Sequence, residues 1–284
     1  MALRNILFIS LSLAVLIFTS CSDFENDIYI NADGSGSVSM KYDASEMISM
    51  VEMMKGMEGM EEGTEDEEEI EIDENIEGQD FESIMNGLGN PSNLQDVDST
   101  FNFYEVMPDS IRKTIENPEL LKNISMTINT SKSDMTAVMG MDMKYNSLEE
   151  LEQIFDTMRQ MGYDNDDGPN QIEGFKELLR NYDVDLKKGI VTLPEQEYSG
   201  DLGADSGEMP DVDFENMSEE ESGMMDMMIG DKGYVTTLHL PGKVISCDDP
   251  DAIIDGNTIT IKDSYMTLMK EKKFKARTIN YKVK

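Results

Sequence analysis

Residues 124–143 have the sequence ISMTINTSKSDMTAVMGMDM. Apolar and polar residues alternate on both sides of a polar centre, residues 130–133, and a period of two is the pattern of a strand with one buried face. Two such strands around a polar turn predict a β-hairpin, whose return strand begins at Met135. Because each strand has one apolar face, we expect an antiparallel sheet that is covered on one side.

Other segments extend this sheet and add helices. Residues 28–42 alternate around the turn Asp-Gly-Ser-Gly at 33–36 and predict a second hairpin. Ser147 and Glu150 form a capping box ahead of apolar residues at helical spacing, which predicts a helix over 147–161. The same patterns predict helices over 43–57 and 174–181, a hairpin over 183–193, and strands over 234–240, 258–261 and 274–283.

Hairpins are mixed with helices, and strand and helix do not alternate regularly. This order predicts the α+β class, with an antiparallel sheet built from hairpins and helices packed on one face. Segments without Lys or Arg interrupt the order at about 59–80 and 198–228. Few apolar residues and uncompensated charge cannot offset the entropy of ordering. We therefore expect both segments to be acidic, disordered insertions in a single domain of residues 28–284.

The first 21 residues have the order of a secretory signal. One basic residue, Arg4, precedes an apolar run at residues 6–18, and small residues then precede Cys21. This predicts a signal peptide over 1–20, whose apolar run is too short to span a bilayer. Its end resembles the bacterial lipobox, which implies cleavage before Cys21 and acylation of the Cys21 thiol by chains such as palmitate. Residues 21–27 would then be an acidic, lipid-anchored tether.

The formal net charge is -36, from 59 acidic and 23 basic residues. Such a field repels nucleic acid and anionic lipid headgroups, because both bind through positive surfaces. We therefore expect no nucleic-acid partner, whereas basic proteins and, weakly, divalent cations are attracted. Once Cys21 is acylated, Cys247 has no partner in the chain, so we expect no intrachain disulfide.

Two kinds of metal binding compete with a purely structural interpretation. The chain has 25 methionines, whose thioethers can hold Cu(I), although Met at buried positions also takes the place of Leu. Residues 164–168 are acidic, but an EF-hand count puts Tyr163 first and Gly174 last, so that pattern fails. The acidic insertions can still bind divalent cations weakly. The methionine clusters are Met47, Met50, Met53, Met54, Met57, Met60 and Met224, Met225, Met227, Met228.

The sequence carries no catalytic motif. Gly-x-Ser-x-Gly, His-Glu-x-x-His and the Walker loop are absent, and His239 lies on an alternating strand where a solvent-facing side chain is expected. We expect no enzymatic activity and no cofactor. Basic residues concentrate at 270–284. They are either the polar face of an edge strand, where Lys prevents unwanted pairing, or a surface that binds the acidic insertions.

Residues 238–244 (LHLPGKV) and 255–261 (DGNTITI), with the turn at 33–36 and the lipobox, resemble the pattern of LppM-type bacterial lipoproteins. Pro-Gly at 241–242 is expected to end one strand, and Asp-Gly-Asn at 255–257 to turn into the next. The resemblance implies an α+β extracytoplasmic module, Bacteroidetes-like and of unsettled function. It supplies no catalytic residues.

Together these features predict an envelope lipoprotein that is anchored through Cys21 outside the cytoplasmic membrane, with the outer membrane expected and its periplasmic or surface face left open. The leading hypothesis is a non-enzymatic binding or envelope-organising module that presents a sheet face or its loops to an envelope protein. The alternative hypothesis is a lipoprotein that binds divalent cations or copper through its acidic loops or methionine clusters.

Overall fold

The predicted hairpin of residues 124–143 is present in a computed structural model of the chain. In it, β4 (Ile124–Ser131) pairs antiparallel with β5 (Thr136–Tyr145), and Met126 lies opposite Met141. Met135 has a φ of 54° in the turn, so the return strand begins one residue later than predicted. The structure describes residues 23–45, 96–107, 112–160, 181–198 and 231–283.

Besides β4 and β5, the described strands are β1 Phe24–Ile30, β2 Gly36–Asp43, β3 Val97–Asn102, β6 Asp183–Asp185, β7 Ile190–Leu193, β8 Gln196–Glu197, β9 Gly233–His239, β10 Val244–Cys247, β11 Ile253–Asp255, β12 Thr258–Ser264, β13 Lys273–Phe274 and β14 Arg277–Tyr281. They form three sheets. The strand orders are β11-β12-β9-β1-β2-β5-β4-β3 in the large sheet, β10-β14-β7-β6 in the four-stranded sheet, and β13-β8 in a two-stranded sheet.

Strand β1 is the point where the two ends of the described chain meet. It pairs antiparallel with β2 and parallel with β9, so that Ile28 lies between Val38 and Leu238. The fold is mostly sheet, its strand pairs are predominantly antiparallel, and the α+β class is confirmed. The prediction of an antiparallel sheet built from hairpins fails at one pair, because β1 and β9 are parallel. Alternation of apolar and polar residues identifies a half-buried strand, but it does not identify the strand that pairs with it. Parallel strands are joined by a long connection, so their pairing is not visible in a local pattern.

One buried cluster of side chains forms the core. It joins the inner face of the large sheet to the four-stranded sheet and to two helices, α2 (Leu148–Gln160) and α3 (Tyr265–Glu271). A short helix, α1 (Phe103–Val106), and a 3₁₀ helix (Pro118–Asn123) lie between β3 and β4. Several methionines fill this core as apolar residues, namely Met40, Met126, Met141, Met143 and Met158.

The start of α2 confirms the predicted capping box with one difference. The Glu150 backbone N–H donates to Ser147 Oγ at 3.1 Å. The Glu150 carboxylate reaches back to the backbone N–H of Asn146, at 2.5 Å, rather than to that of Ser147. Both bonds satisfy N–H groups at a helix start that have no partner within the helix. The helix then buries the predicted residues Leu151, Ile154, Phe155 and Met158.

The C-terminal part differs from the prediction in two ways. Helix α3 was not predicted, because a seven-residue helix that begins at the N-cap Ser264 shows too few apolar repeats to identify. Strand β14 lies between β10 and β7 and is not an edge strand, whereas Lys273 belongs to β13, an edge strand of the two-stranded sheet. Lys273 and Lys275 form ion pairs with Glu195 and Glu271.

Arg277 connects the large sheet to the four-stranded sheet. From β14, its Nη2 and Nη1 donate to the two carboxylate oxygens of Asp263 in β12, at 2.6 and 3.2 Å. Its Nε donates to Asp249 Oδ2 at 2.6 Å. The side chains of Arg277, Asp263 and Asp249 are 6%, 6% and 14% exposed. Because loss of one partner leaves a buried charge, this cluster penalises any arrangement that separates β12 from β14.

Two predicted boundaries are corrected. Phe24 is buried in β1, so residues 24–27 belong to the sheet and not to the tether predicted over 21–27. Tyr198 is buried and its N–H donates to Lys272 O at 2.9 Å, so the second insertion begins after it. The signal peptide, the rest of both insertions, the helix over 174–181 and most of the helix over 43–57 lie outside the described residues.

The glycines in the motifs behind the family resemblance serve the fold. A Cβ on Gly36 would collide with the carbonyl oxygen of Tyr29 and the hydroxyl of Tyr145, and one on Gly242 with the carbonyl oxygen of Lys282. Gly256 turns β11 into β12 with a φ of +63°. These motifs therefore mark close backbone approaches and turns, which are requirements of folding rather than of chemistry.

Replacing Gly36 with Ala is expected to lower the free energy of unfolding by about 3 kcal/mol, because the added methyl collides with the Tyr29 carbonyl in β1 and the Tyr145 side chain of β5. The matched control is Gly140→Ala in β5, where a Cβ meets only ordinary contacts at 3.8 Å. The control should change stability by less than about 1 kcal/mol. Urea unfolding of both variants measures the difference, and equal stabilities would contradict the close approach.

The Arg277 cluster makes stability depend on pH. Burial raises the pKa of Asp249, but hydrogen bonds from Arg277 and the Asp251 N–H, with the Arg277 charge, together outweigh it and hold that pKa below its ordinary value. A carboxyl group whose pKa is lower in the folded state than in the unfolded state stabilises the folded protein. The full stabilisation is present when the pH is above the unfolded-state pKa of about 3.9. That stabilisation is lost as the pH falls through the lowered folded-state pKa.

Asp249→Asn is therefore expected to lower the free energy of unfolding by about 1–3 kcal/mol at pH 7 and by clearly less at pH 2. Urea titrations at both pH values measure this change. Asp251→Asn, an exposed acid two residues away, is the control and should have little effect at either pH. If Asp249→Asn lowers the free energy of unfolding equally at both pH values, the charge of the Asp249 carboxylate does not stabilise the folded protein.

Candidate ligand-binding groove

A cavity of about 530 Å³ lies between α2, residues 181–184 and the end of β1. We call this space the groove. Its volume falls within the range of about 300–1,000 Å³ that is typical of ligand sites. The groove is therefore the feature of the described residues that best fits a binding site.

Helix α2 forms one wall of the groove. Leu148, Leu151, Glu152 and Phe155 line it at intervals of three and four residues, which is one continuous face of a helix, and Glu149 lies beside them. Leu151 and Phe155 are buried, whereas the Glu149 and Glu152 side chains are exposed. This wall is apolar at its base and acidic at its top.

Residues 181–184 form the opposite wall. All four consecutive residues line the cavity. Asn181 and Tyr182 precede β6, and the backbone N–H of Asn181 donates to Gln196 Oε1 at 3.3 Å. Asp183 and Val184 belong to β6, the last strand of the four-stranded sheet, which is paired on its other side with β7.

Strand β1 supplies the floor. Ile28 and Ile30 are alternate residues of β1, both buried, and they point to the same face of the large sheet. At one end, the turn between β1 and β2 lies close to side chains of both walls. A Cβ on Gly34 would lie 3.4 Å from the side chain of Leu186 and 4.0 Å from that of Leu148. The floor and both walls are thus held by three elements of the core.

A buried polar pair lies beside the groove. Asn26 is 6% exposed and its Nδ2 donates to the hydroxyl of Tyr182 at 2.9 Å. The carbonyl oxygen Oδ1 of Asn26 has no hydrogen-bond partner among the described residues. A buried acceptor without a partner is uncommon in folded proteins. It adds one buried polar position beside the groove.

The mouth of the groove is acidic. Glu149 and Glu152 on α2 and Asp183 on β6 place three exposed carboxylates on its two walls. They belong to a chain with a net charge of -36. Such a site attracts cationic groups and repels anionic ones. An apolar floor under an acidic mouth favours ligands that are both apolar and basic.

His239 lies on the outer face of the large sheet. Its ring stacks on Tyr29 with 3.9 Å between centroids, its Nε2 is 3.6 Å from Asp27, and its Nδ1 is 3.2 Å from the hydroxyl of Thr258. Carboxylate, imidazole and hydroxyl in this order resemble a nucleophile triad. However, β12 is hydrogen-bonded to β11 and β9, so the backbone N–H groups near Thr258 are used within the sheet. Without donors for an oxyanion, we interpret the group as a cross-strand cluster.

The described cysteine, Cys247, is not set up as a nucleophile. Burial raises the pKa of its thiol above the ordinary value, and a nucleophilic cysteine needs a lowered pKa. Its Sγ accepts a hydrogen bond from the backbone N–H of Asp249 at 3.4 Å. This contact helps to order the loop that carries Asp249 to Arg277.

The predicted lipidation and metal residues lie outside the described part of the chain. Cys21, both methionine clusters, residues 164–168 and the acidic segments are among them. Within the described ranges, no three His, Cys, Asp or Glu side chains come together as a metal site. No helix in those ranges is long and apolar enough to cross a membrane. Cation binding by the acidic segments or the methionines stays a prediction.

Comparisons with protein families, with curated proteins and with solved structures found no match for this chain. The resemblance to LppM-type lipoproteins stays an expectation from the sequence. The groove itself was not predicted, although the helix and hairpin that form its walls were. Which segment faces which helix depends on tertiary packing, and no local pattern in the sequence carries that information.

Proposed function

We propose that this chain is a lipid-anchored, extracytoplasmic binding module that holds a protein ligand in the groove. The observation that carries the proposal is the groove itself, a cavity of about 530 Å³ with an apolar floor and an acidic mouth. Ligand sites are typically concave and mostly apolar, with a few polar groups that fix orientation. The partner is a protein of the bacterial envelope, and the module carries out no catalysis.

The position of the groove suits a tethered protein. The proposed acylation site, Cys21, lies only three residues before β1 begins at Phe24. Ile28 and Ile30 are at the far end of that strand, roughly 20 Å away at about 3.3 Å per residue. One acyl chain binds a bilayer only marginally, whereas two or three on Cys21 hold the body there. The floor of the groove then lies at the end of β1 that is farther from the anchor.

The domain organisation belongs to the same proposal. Residues 1–20 are removed as a signal peptide, and a single α+β domain with helices on one face of its sheet follows a short tether. The acidic segments, about 59–80 and from 199 to 228, are disordered loops between its elements. Their charge keeps the anchored protein soluble, and it repels nucleic acid and anionic surfaces. The outer membrane is the proposed location.

Site-specific photo-crosslinking in intact cells tests the proposal. Benzoylphenylalanine in place of Glu152, on the groove wall, is expected to give discrete adducts with an envelope protein. The matched control places the same group at Asp156, exposed on α2 but outside the groove. The control should give no adduct of that size. Cys21→Ser should abolish both acylation, measured by mass spectrometry, and sedimentation with membranes.

Two results would contradict the proposal. The same adduct pattern from positions 152 and 156 would mean that the groove is not the binding site. An unmodified Cys21 in the natural protein, or a chain that stays soluble after cell lysis, would remove the lipid anchor.

A further inference from the structure

We propose that two copies of this chain form a two-fold dimer through a surface that we call the seam, residues 243–255. Here the edge of the large sheet, β11, comes next to the edge of the four-stranded sheet, β10. The seam shares no residue with the groove, so the dimer does not depend on the proposed ligand site. Exposed isoleucines and the opposite charges at the two ends of the seam support this dimer.

The two strands of the seam are fixed to each other at both ends. At the first end the backbone N–H of Val244 donates to Gly256 O at 2.9 Å, which joins the start of β10 to the turn after β11. At the second end residues 248–252 connect β10 to β11, and Asp249 in this loop is held by Arg277. The exposed side chains of β10 and β11 therefore form one strip of surface.

Three isoleucines of the seam are exposed to solvent. Ile245, Ile253 and Ile254 are 66%, 69% and 43% exposed. Ile254 lies opposite the buried Ile259 and Ile253 lies opposite Thr260, so isoleucine side chains stand on both faces of the sheet at its β11 edge. Scattered apolar residues on a surface are ordinary, whereas a group with a polar rim marks an interaction site. The seam thus has the apolar centre of an interface.

The two ends of the seam carry opposite charge. At the first end Lys243 and Lys282 are exposed cross-strand neighbours, because the Lys282 N–H donates to Lys243 O at 2.8 Å. Neither ammonium group forms an ion pair with a described residue. Asp255 also lies at this end, which leaves an excess of one positive charge. At the second end Asp248 and Asp251 are exposed carboxylates.

This arrangement of charge matches a second copy whose seam runs antiparallel to the first. The isoleucines of the two copies then pack on each other, and the lysine end of each copy faces the carboxylate end of the other. Because the contact is isologous, every ionic contact forms twice. An apolar centre with a charged rim is the usual anatomy of a protein interface. A uniformly basic or uniformly acidic partner would be repelled at one of the two ends, which favours a second copy as the occupant.

The dimer is expected to be weak in solution. Exposed ion pairs contribute little each, and three isoleucines make a small apolar centre. The repulsion between two acidic chains is screened beyond about 8 Å at physiological ionic strength, whereas groups in contact at the seam are closer than that. The lipid anchor of the proposed function raises the effective concentration of the two copies on a membrane, so that a weak interface is sufficient there.

Sedimentation equilibrium of the full chain in a density-matched nonionic detergent tests the dimer, with the protein itself as the only probe. We expect a reversible monomer–dimer equilibrium at physiological ionic strength. Ile253→Ser is expected to weaken it at least tenfold, because it removes an apolar contact that the two-fold arrangement uses twice. Tyr29→Ser is the matched control, since Tyr29 is 46% exposed on a strand three positions away from β11 in the sheet, and it should change nothing. Circular dichroism confirms that each variant is folded.

Exchanging two charges tests the antiparallel arrangement. Lys243→Glu and Asp251→Lys are each expected to weaken the dimer at least threefold, because each replaces attraction by repulsion at two places. The double variant exchanges the charges and should recover the affinity of the original chain to within twofold. Lys144→Glu on β5 changes the net charge by the same amount as Lys243→Glu and should have no effect. If only the net charge mattered, Asp251→Lys would strengthen the dimer instead.

Four outcomes would overturn the dimer as proposed. They are a chain that stays monomeric at every concentration, a dimer that Ile253→Ser leaves intact, a double variant that remains as weak as the single ones, and, in intact cells, benzoylphenylalanine at position 253 that links only to a different protein. None of them bears on the groove, because crosslinking from position 152 tests the proposed function separately.

Discussion

The whole arrangement depends on one strand, β1, and on its two neighbours. Antiparallel pairing with β2 is local, but parallel pairing with β9 joins segments separated by residues 31–232. This pair turns two sets of hairpins into one eight-stranded sheet, and its apolar residues become part of a single core. The same strand supplies Ile28 and Ile30 to the floor of the groove. If β1 left the sheet, the core and the groove would be lost together.

A second constraint sets the position of the four-stranded sheet. Arg277 holds β14 to Asp263 of β12 and to Asp249 in the loop after β10, in a largely buried environment where a charge that loses its partner is destabilising. Such clusters act more on the uniqueness of a structure than on its total stability. In this protein, the cluster fixes the position of the four-stranded sheet. Strand β14 is paired with β7 and β7 with β6, so Arg277 helps to fix the position of the sheet whose last strand, β6, lines the groove.

Sequence patterns predicted the local part of this structure and not its assembly. The alternation in residues 124–143 and the capping residues Ser147 and Glu150 depend on neighbours within a few positions, and they were confirmed. The β1–β9 pair, the interior position of β14 and the burial of Arg277 depend on partners far along the chain. Helix α3 was too short for its period to be visible. The groove combines a helix face, a strand face and residues 181–184, and only the first two leave a pattern in sequence.

The central claim is that β1 joins all of these parts into one cooperative unit, and native-state hydrogen exchange of the full chain in low urea tests it most directly. Amides of β1 and β9 are expected to exchange with the same free energy and urea dependence as those of β4 and β5, because no part of the sheet opens alone. The contradicting result is exchange of β9, β12 and β14 in a separate, lower-energy step while β1, β2 and β5 stay protected. That result would mean two independent units and no shared core beneath the groove.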